Sequence, residues 1–388
     1  MHYAPDRGFP TTEFADRTAR AQEQMADEGL AGLLLMTEPE LRYFSGFHTG
    51  FWQSPTRPWF LFVPAAGKPI AIIPEIGASL MRQSWLEDVR TWPAPMPDDD
   101  GISLLTDLLS EHAPQGHRVG LLKGPETHLR MPLGDYERLI AGLPGLEFVD
   151  ATGLVRRLRM VKSDAEIAKI AHICNVLSAS FARVPEIAQA GLSLDTLFRE
   201  FRRDCLAEGA DEVPYLVGGA DQGGYHDVIS PPTQRPLQNG DILMLDTGAV
   251  WDGYYCDFNR NWAVGAADLA SQRSYDLLYQ AVEAGLATAR PGVRTCDLYA
   301  AMQGVIARGG GATGDVGRFG HGLGMQLTEW PSLAAWDETV LEERMVLTLE
   351  PSLSYGDGRL MVVEEDIVVR KTGPELLTQR APAELLVI

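Results

Sequence analysis

Four acidic side chains and one imidazole carry the chemistry that the spacing of this sequence suggests. Asp246 ends the apolar run Ile242-Leu243-Met244-Leu245, and Asp257 follows eleven residues later. Between them Asp252-Gly253 is a strong two-residue hairpin turn, because glycine tolerates the positive φ that a type I′ turn demands. With that turn, Asp246 lies opposite Asn259 and Asp257 opposite Gly248. The two aspartates then share one face as diagonal neighbours, roughly 7–8 Å apart at Cα. Carboxylates facing each other in an apolar strand pair repel unless a cation lies between them. The alternative is a surface-facing pair, against which Ile242, Met244 and Leu245 count.

A similar pattern recurs near the C-terminus. Met345-Val346-Leu347-Thr348-Leu349-Glu350 reads as a strand ending in a carboxylate, and Tyr355-Gly356-Asp357-Gly358 turns the chain. The return carries Glu364, Glu365 and Asp366. A loop of odd length centred on Asp357 sets Glu350 opposite Glu364, although the sequence does not fix the turn type. Three consecutive acids equally suit a solvated strand end. His321 lies in Gly320-His321-Gly322-Leu323-Gly324, where glycines allow close approach of the backbone to a bound group. A lone histidine is more often structural than a ligand. Taken together, Asp246, Asp257, His321, Glu350 and Glu364 suit two divalent ions such as Mn²⁺, Fe²⁺, Co²⁺ or Zn²⁺.

Positioning these groups requires a sizeable scaffold. At about 100–200 residues per domain, 388 residues imply two. A net charge of −20, from 53 acidic and 33 basic side chains, opposes nucleic acid and anionic membranes as partners. No run of about 18 apolar residues predicts a membrane-spanning helix, and the N-terminus lacks the pattern of a secretory signal. Cys174, Cys205, Cys256 and Cys296 form no CxxC pair and no disulfide framework, which fits reduced thiols in the cytoplasm. Any metal must then be held by carboxylate and imidazole.

Helical spacing at 14–28, 104–112 and 132–143 alternates with strand-like runs at 31–36, 59–64, 69–74 and 119–122, which predicts an α/β domain. A boundary falls near Thr152 to Val161, giving expected domains of 1–155 and 156–388. Ser163-Asp164-Ala165-Glu166 is a capping box opening a helix. Further helices are expected from Leu194 to a stop at Gly209, and over 271–290 and 295–308. With strand-rich stretches at 241–264 and 345–370, the second half reads as α+β.

In this order, "MLDTGAVWDGYYCDFNRNW", "GHGLG", "LTLEPSL" and "VVEEDIVV" resemble the ligand-bearing segments of the pita-bread metallohydrolases. That family includes methionine aminopeptidase, Xaa-Pro aminopeptidase, prolidase and creatinase. "RRLRMVKSDAEIAKI" resembles its usual entry into the catalytic domain. The resemblance implies an α/β N-terminal domain, an α+β pita-bread catalytic domain and a homodimer. It implies that Asp246 binds one metal, that Asp257 and Glu364 bridge, and that His321 and Glu350 bind the second metal. Glu350 would also be the proton acceptor. His226 matches a substrate-side histidine that meets the substrate amide or developing charge; a solvated loop histidine is the alternative. Creatinase-like members lack parts of the set and work without metal, whereas all five positions are filled here.

Two departures from the family pattern stand out. Thr328 occupies the place of a second histidine, and Val362 the place of an arginine that helps hold a substrate carboxylate in prolidase-like members. Thr328 cannot shuttle a proton near neutral pH, and Val362 cannot make a bidentate carboxylate contact. Glu329-Trp330-Pro331 resembles the dimethylsulfoniopropionate lyase branch of the fold, which has an aspartate at the place of Thr328. The aromatic segment from Gly46 to Phe60 suggests that Trp52, with Trp251, Tyr254 or Trp330, walls a pocket for a small or cationic substrate; core or dimer packing is the alternative. The expected activity is dinuclear metal-dependent hydrolysis of an amide-type C–N bond in a small substrate. The rivals are a metal-dependent lyase and a non-catalytic binding module.

Overall fold

A computed structural model describes residues 4–54, 57–113, 115–312 and 317–388. Of the aromatic N-terminal segment, Pro55 and Thr56 lie outside the described residues. The described residues divide into two compact units, one over Asp6–Arg159 and the other over Met160–Ile388. The helix Thr152–Met160 runs through the stretch where the sequence suggests a boundary.

The first unit is built on a sheet of β1 (Gly32–Leu35), β2 (Phe60–Pro64), β3 (Ile70–Pro74), β4 (Val89–Trp92), β5 (Arg118–Leu121) and β6 (Glu147–Asp150), in the order β4-β3-β2-β1-β5-β6. Strands β1, β2 and β3 are fully buried, which is why they read as continuous apolar runs. The outermost strands β4 and β6 are mostly half-buried or exposed and carry no such run, so the sequence does not announce them. Leu105, Leu108 and Leu109 of the helix Ile102–His112 pack with Phe60, Phe62 and Ile72 in this unit's core.

The second unit opens with the capping box. Ser163 accepts from the Glu166 amide, and the Glu166 carboxylate accepts from the Ser163 amide. The helix Asp164–Ala182 follows, then Leu194–Glu208, which stops at Gly209 with φ 120°. Strands β7 (Glu212–Gln222), β8 (Asp241–Trp251), β9 (Tyr254–Tyr255) and β10 (Phe258–Ala263) form the next layer. β7 is absent from the sequence reading, because Pro214 and the Gly218-Gly219 pair interrupt any strand pattern. Gly218 is needed there: a Cβ would lie 2.1 Å from the Met244 carbonyl oxygen on β8.

Helices Leu269–Thr288 and Thr295–Arg308 cover the second sheet. Leu278, Val282 and Met302 pack there with Leu347, Leu349 and Ile367. That sheet contains β11 (His321–Gly322), β12 (Glu329–Ser332), β13 (Val346–Leu349), β16 (Glu365–Arg370) and β17 (Gly373–Leu376), and between β13 and β16 the chain makes the hairpin β14 (Ser352–Tyr355) and β15 (Arg359–Val362). A last short strand, β18 (Leu386–Val387), pairs with β10. No helix among the described residues is long and apolar enough to cross a membrane.

Candidate metal centre

Two hairpins deliver the four acids. At the first, Asp252 and Gly253 have φ 48° and 75°, the two positive values of a type I′ turn. Val250 pairs with Tyr255 and Asp246 with Asn259, so one register runs through the hairpin. Side chains alternate along a strand, which puts Asp246 and Asp257 on one face. The second hairpin holds a single register through β13–β16 and β14–β15, centred on Asp357, and it sets Glu350 against Glu364. Glu364, Glu365 and Asp366 are all buried, so the three acids are not a solvated strand end.

Carboxylate oxygens of Asp246, Asp257 and Glu364 lie within 4.8 Å of one another. His321 brings its Nε2 to 3.5 Å from Asp257 Oδ2 and 3.9 Å from Glu350 Oε1. Its Nδ1 is 2.8 Å from the Gly322 carbonyl oxygen. A carbonyl only accepts, so that nitrogen carries the proton and the lone pair of Nε2 points among the acids. All five expected ligands therefore converge.

The electrostatics are those of a site made for cations. Burial, reinforced by the Glu350 carboxylate, pushes Asp246 up to about 7. Burial and the neighbouring carboxylates also raise Asp257 and Glu364 well above the ordinary range. Asp246 Oδ1 and Glu364 Oε1 are buried without a hydrogen-bond partner among the described residues. Unpaired oxygens that destabilise one another's charge fit hard divalent cations, which would reverse the repulsion and fill the orphaned lone pairs.

Three residues support the cluster in roles that the sequence does not announce. From β7, the Tyr215 hydroxyl donates to Asp246 Oδ2 at 3.4 Å. Asp366 Oδ2 accepts from the Asp257 amide at 2.9 Å and from Cys174 Sγ at 3.3 Å. Burial pushes Asp366 up to about 8. Arg260 donates to the Glu364 carbonyl and to Glu365. Its position three residues after Asp257, on the opposite face of an otherwise apolar and amide-bearing strand, was the available signal.

The expected substrate-side residues fare differently. His226 is exposed, with Nδ1 3.2 Å from the Gly358 carbonyl at the tip of the β14–β15 hairpin. Tyr254 requires a correction. It pairs with Trp251 and so stands on the face away from the aspartates, buried, with its hydroxyl donating to Glu166 at 3.0 Å. Trp251 is buried on the same side, against His172. Neither ring can wall a pocket over Asp246. Glu329 turns inward to a buried ion pair with Lys162 at 3.1 Å, flanked by the half-buried Thr328 and Trp330. The preceding Leu327 does cover the aspartate face, since a Cβ on Gly248 would lie 2.1 Å from its Cδ1. Trp52 belongs to the first unit, its ring 5.4 Å from Trp59 and under the guanidinium of Arg130.

Comparisons with known proteins identify the family and the fold. Residues 168–371 match the model of metallopeptidase family M24, and residues 17–161 match the creatinase/prolidase N-terminal domain. The Mycobacterium tuberculosis protein named "Probable dipeptidase PepE" is 31% identical over 98% of both chains. The Xaa-Pro dipeptidase of Pyrococcus horikoshii is 26% identical over 64% of this chain and 71% of its own. The crystal structure of dipeptidase PepE from Mycobacterium ulcerans superposes with a TM-score of 0.86 at 29% identity, covering 98% of this chain and 99% of the other. The chain thus belongs to metallopeptidase family M24, the pita-bread metallohydrolases, and is a metal-dependent hydrolase.

Proposed function

We propose that this hydrolase holds two divalent ions and cleaves an amide-type C–N bond in a small or dipeptide-sized substrate, resembling an Xaa-Pro dipeptidase but with an atypical substrate. The carrying observation is the convergence of Asp246, Asp257 and Glu364 with His321 and Glu350, orphaned carboxylate oxygens included. In this reading Asp246 would hold one ion, His321 and Glu350 the other, and Asp257 and Glu364 would serve both, with Mn²⁺, Fe²⁺, Co²⁺ or Zn²⁺ as candidates. When bound, such ions supply Lewis acidity toward a carbonyl and an activated water at neutral pH. Glu350, half-buried at the edge of the cluster, accepts the proton released during attack. The exposed imidazole of His226, oriented by Gly358, meets the substrate amide or the charge that develops on it. Residues 1–155 serve as the α/β accessory domain and 156–388 as the catalytic domain. The working form is a cytoplasmic homodimer.

Metal analysis of the purified protein and a Mn²⁺-supplemented screen of Xaa-Pro dipeptides, N-acyl amino acids and onium carboxylates test this reading. Solvent oxygen should enter the product, and Asp257→Ala should abolish metal retention and turnover. An unsaturated product would establish the lyase instead. A protein that takes up no metal and turns over none of these compounds would be a binding module. Asp257→Ala with both metals and full turnover would refute the ligand assignment.

A further inference from the structure

The strands that carry the ligands present one open face, and its charge inventory limits what can lie on it. On β7, Tyr215, Val217 and Gly219 are half-buried, while Leu216, Gly218 and Ala220 between them are buried. Val217 pairs with Asp246, so this open row shares the aspartate face. In the second hairpin, Leu353 and Met361 are core residues and the half-buried Leu360 packs against the same core, while Ser352 and Val362 alternate onto the face of Glu350 and Glu364. Ser352 pairs with Val362 in the rung next to the two glutamates.

No lysine or arginine rises from the strands of this floor, and the His226 imidazole stands at the hairpin tip against the Gly358 carbonyl. Over β7, β8, β10, β14 and β15 the only cationic residues are Arg260 and Arg359. Alternation turns both away. Arg260 pairs with Leu245, not with Asp246, and its guanidinium is consumed by Asn259, Glu364, Glu365 and Gln379. Arg359 pairs with Tyr355 and lies 3.8 Å from Asp268. Leu327, over Gly248, adds another neutral group. Four carboxylates balanced by two divalent ions leave no surplus positive charge to receive an anion. A carboxylate set beside Val362 would lose its hydration without gaining a charged donor.

We infer that the substrate is uncharged where it lies over the Ser352–Val362 rung: a blocked C-terminus such as an amide or ester, or an apolar group, in place of a free carboxylate. This deepens the hydrolase reading and rests on it. Matched pairs differing only in that charge supply the test: Ala-Pro against Ala-Pro amide, and Gly-Leu against Gly-Leu amide, assayed for release of the N-terminal residue by the Mn²⁺-loaded full chain. The amides should show at least fivefold higher kcat/KM. Val362→Arg, which sets a guanidinium on the floor, should move the ratio toward the free acids by at least tenfold. Calorimetric binding of the same four compounds gives a readout independent of turnover. Equal binding or a preference for the acids overturns the inference, as does an unmoved ratio in folded, metal-binding Val362→Arg. Failure of the hydrolase reading looks different: neither bond is cleaved and no Mn²⁺ is bound, whatever the charge preference.

Discussion

The hydroxyl of Tyr215 offers a measurement of how strongly the surroundings of the centre tune its metal affinity. Tyr215→Phe keeps the ring on β7 and removes one donor, the O–H that reaches Asp246 Oδ2 at 3.4 Å. Hydrogen bonds to charged groups contribute about 1.5–3 kcal/mol at good geometry. This one is long, which argues for the lower end or slightly below, about 1–1.4 kcal/mol. That is about a five- to tenfold weakening of the first Mn²⁺ equilibrium. The sign follows from charge: Asp246 would bind a cation as a carboxylate, and the phenol stabilises that charged form. Competitive calorimetry against a chelator reads the change directly, and thermal melting of the metal-free variant serves as control. A purely structural tyrosine would lower the metal-free melting temperature and leave affinity alone. Affinity within twofold of the parent would refute the reasoning.

Tyr254→Phe should cost about 1–2 kcal/mol in denaturant unfolding, through the lost hydrogen bond to buried Glu166, with kcat/KM unchanged within twofold. A drop in kcat/KM with stability intact would restore Tyr254 to the substrate pocket. Asp241→Asn should cost about 2–4 kcal/mol at pH 7, because this fully buried carboxylate accepts from Arg235, Gln222 and the Gln238 amide. Burial opposes its ionisation, but those donors overcome it and hold Asp241 below its ordinary pKa. A depressed folded pKa gives stability that is present above the unfolded value near 4 and lost as pH falls through the lower folded one. Parent and variant should therefore converge in stability below about pH 4, and parallel curves across that range would contradict the assignment.

Much of this architecture is legible in the residues, for local reasons. Asp252-Gly253 specifies a turn whose register fixes which residues face each other, so the aspartate pair follows from two positions. The odd loop at Asp357 does the same for Glu350 and Glu364. Ser163 and Glu166 announce a helix start by chemistry that acts over three residues. What stays hidden depends on distant partners. The Gly-rich β7 becomes a strand only because β8 lies against it, and Tyr215 goes unseen with it. Asp366 reads as one of three surface acids until the Asp257 amide and Cys174 arrive from over 100 residues away. The orientation of Tyr254 is legible by the same rule, since the turn that aligns the aspartates also sets Trp251 and Tyr254 on the other face.

The clustered side chains share one further property that explains why they sit where they do. Each acidic ligand outside β8 interrupts a strand ladder: Asp257 separates β9 from β10, Glu350 separates β13 from β14, and Glu364 separates β15 from β16. At those breaks the backbone finds partners across the fold. The Asp257 amide goes to Asp366, the Glu350 amide to the Phe319 carbonyl, and the Glu364 carbonyl to Arg260. A strand leaving its neighbour can aim a carboxylate that an unbroken ladder would hold at the regular spacing. The backbone groups so released must be satisfied, or each costs about 1–3 kcal/mol when buried. Arg260 and Asp366 provide that satisfaction and tie one hairpin to the other, so the same contacts that permit the breaks also fix the separation of the ligands. Assembly of the centre and packing of the catalytic unit are then one event, and a cation that relieves the repulsion among Asp246, Asp257 and Glu364 stabilises the fold as it completes the site.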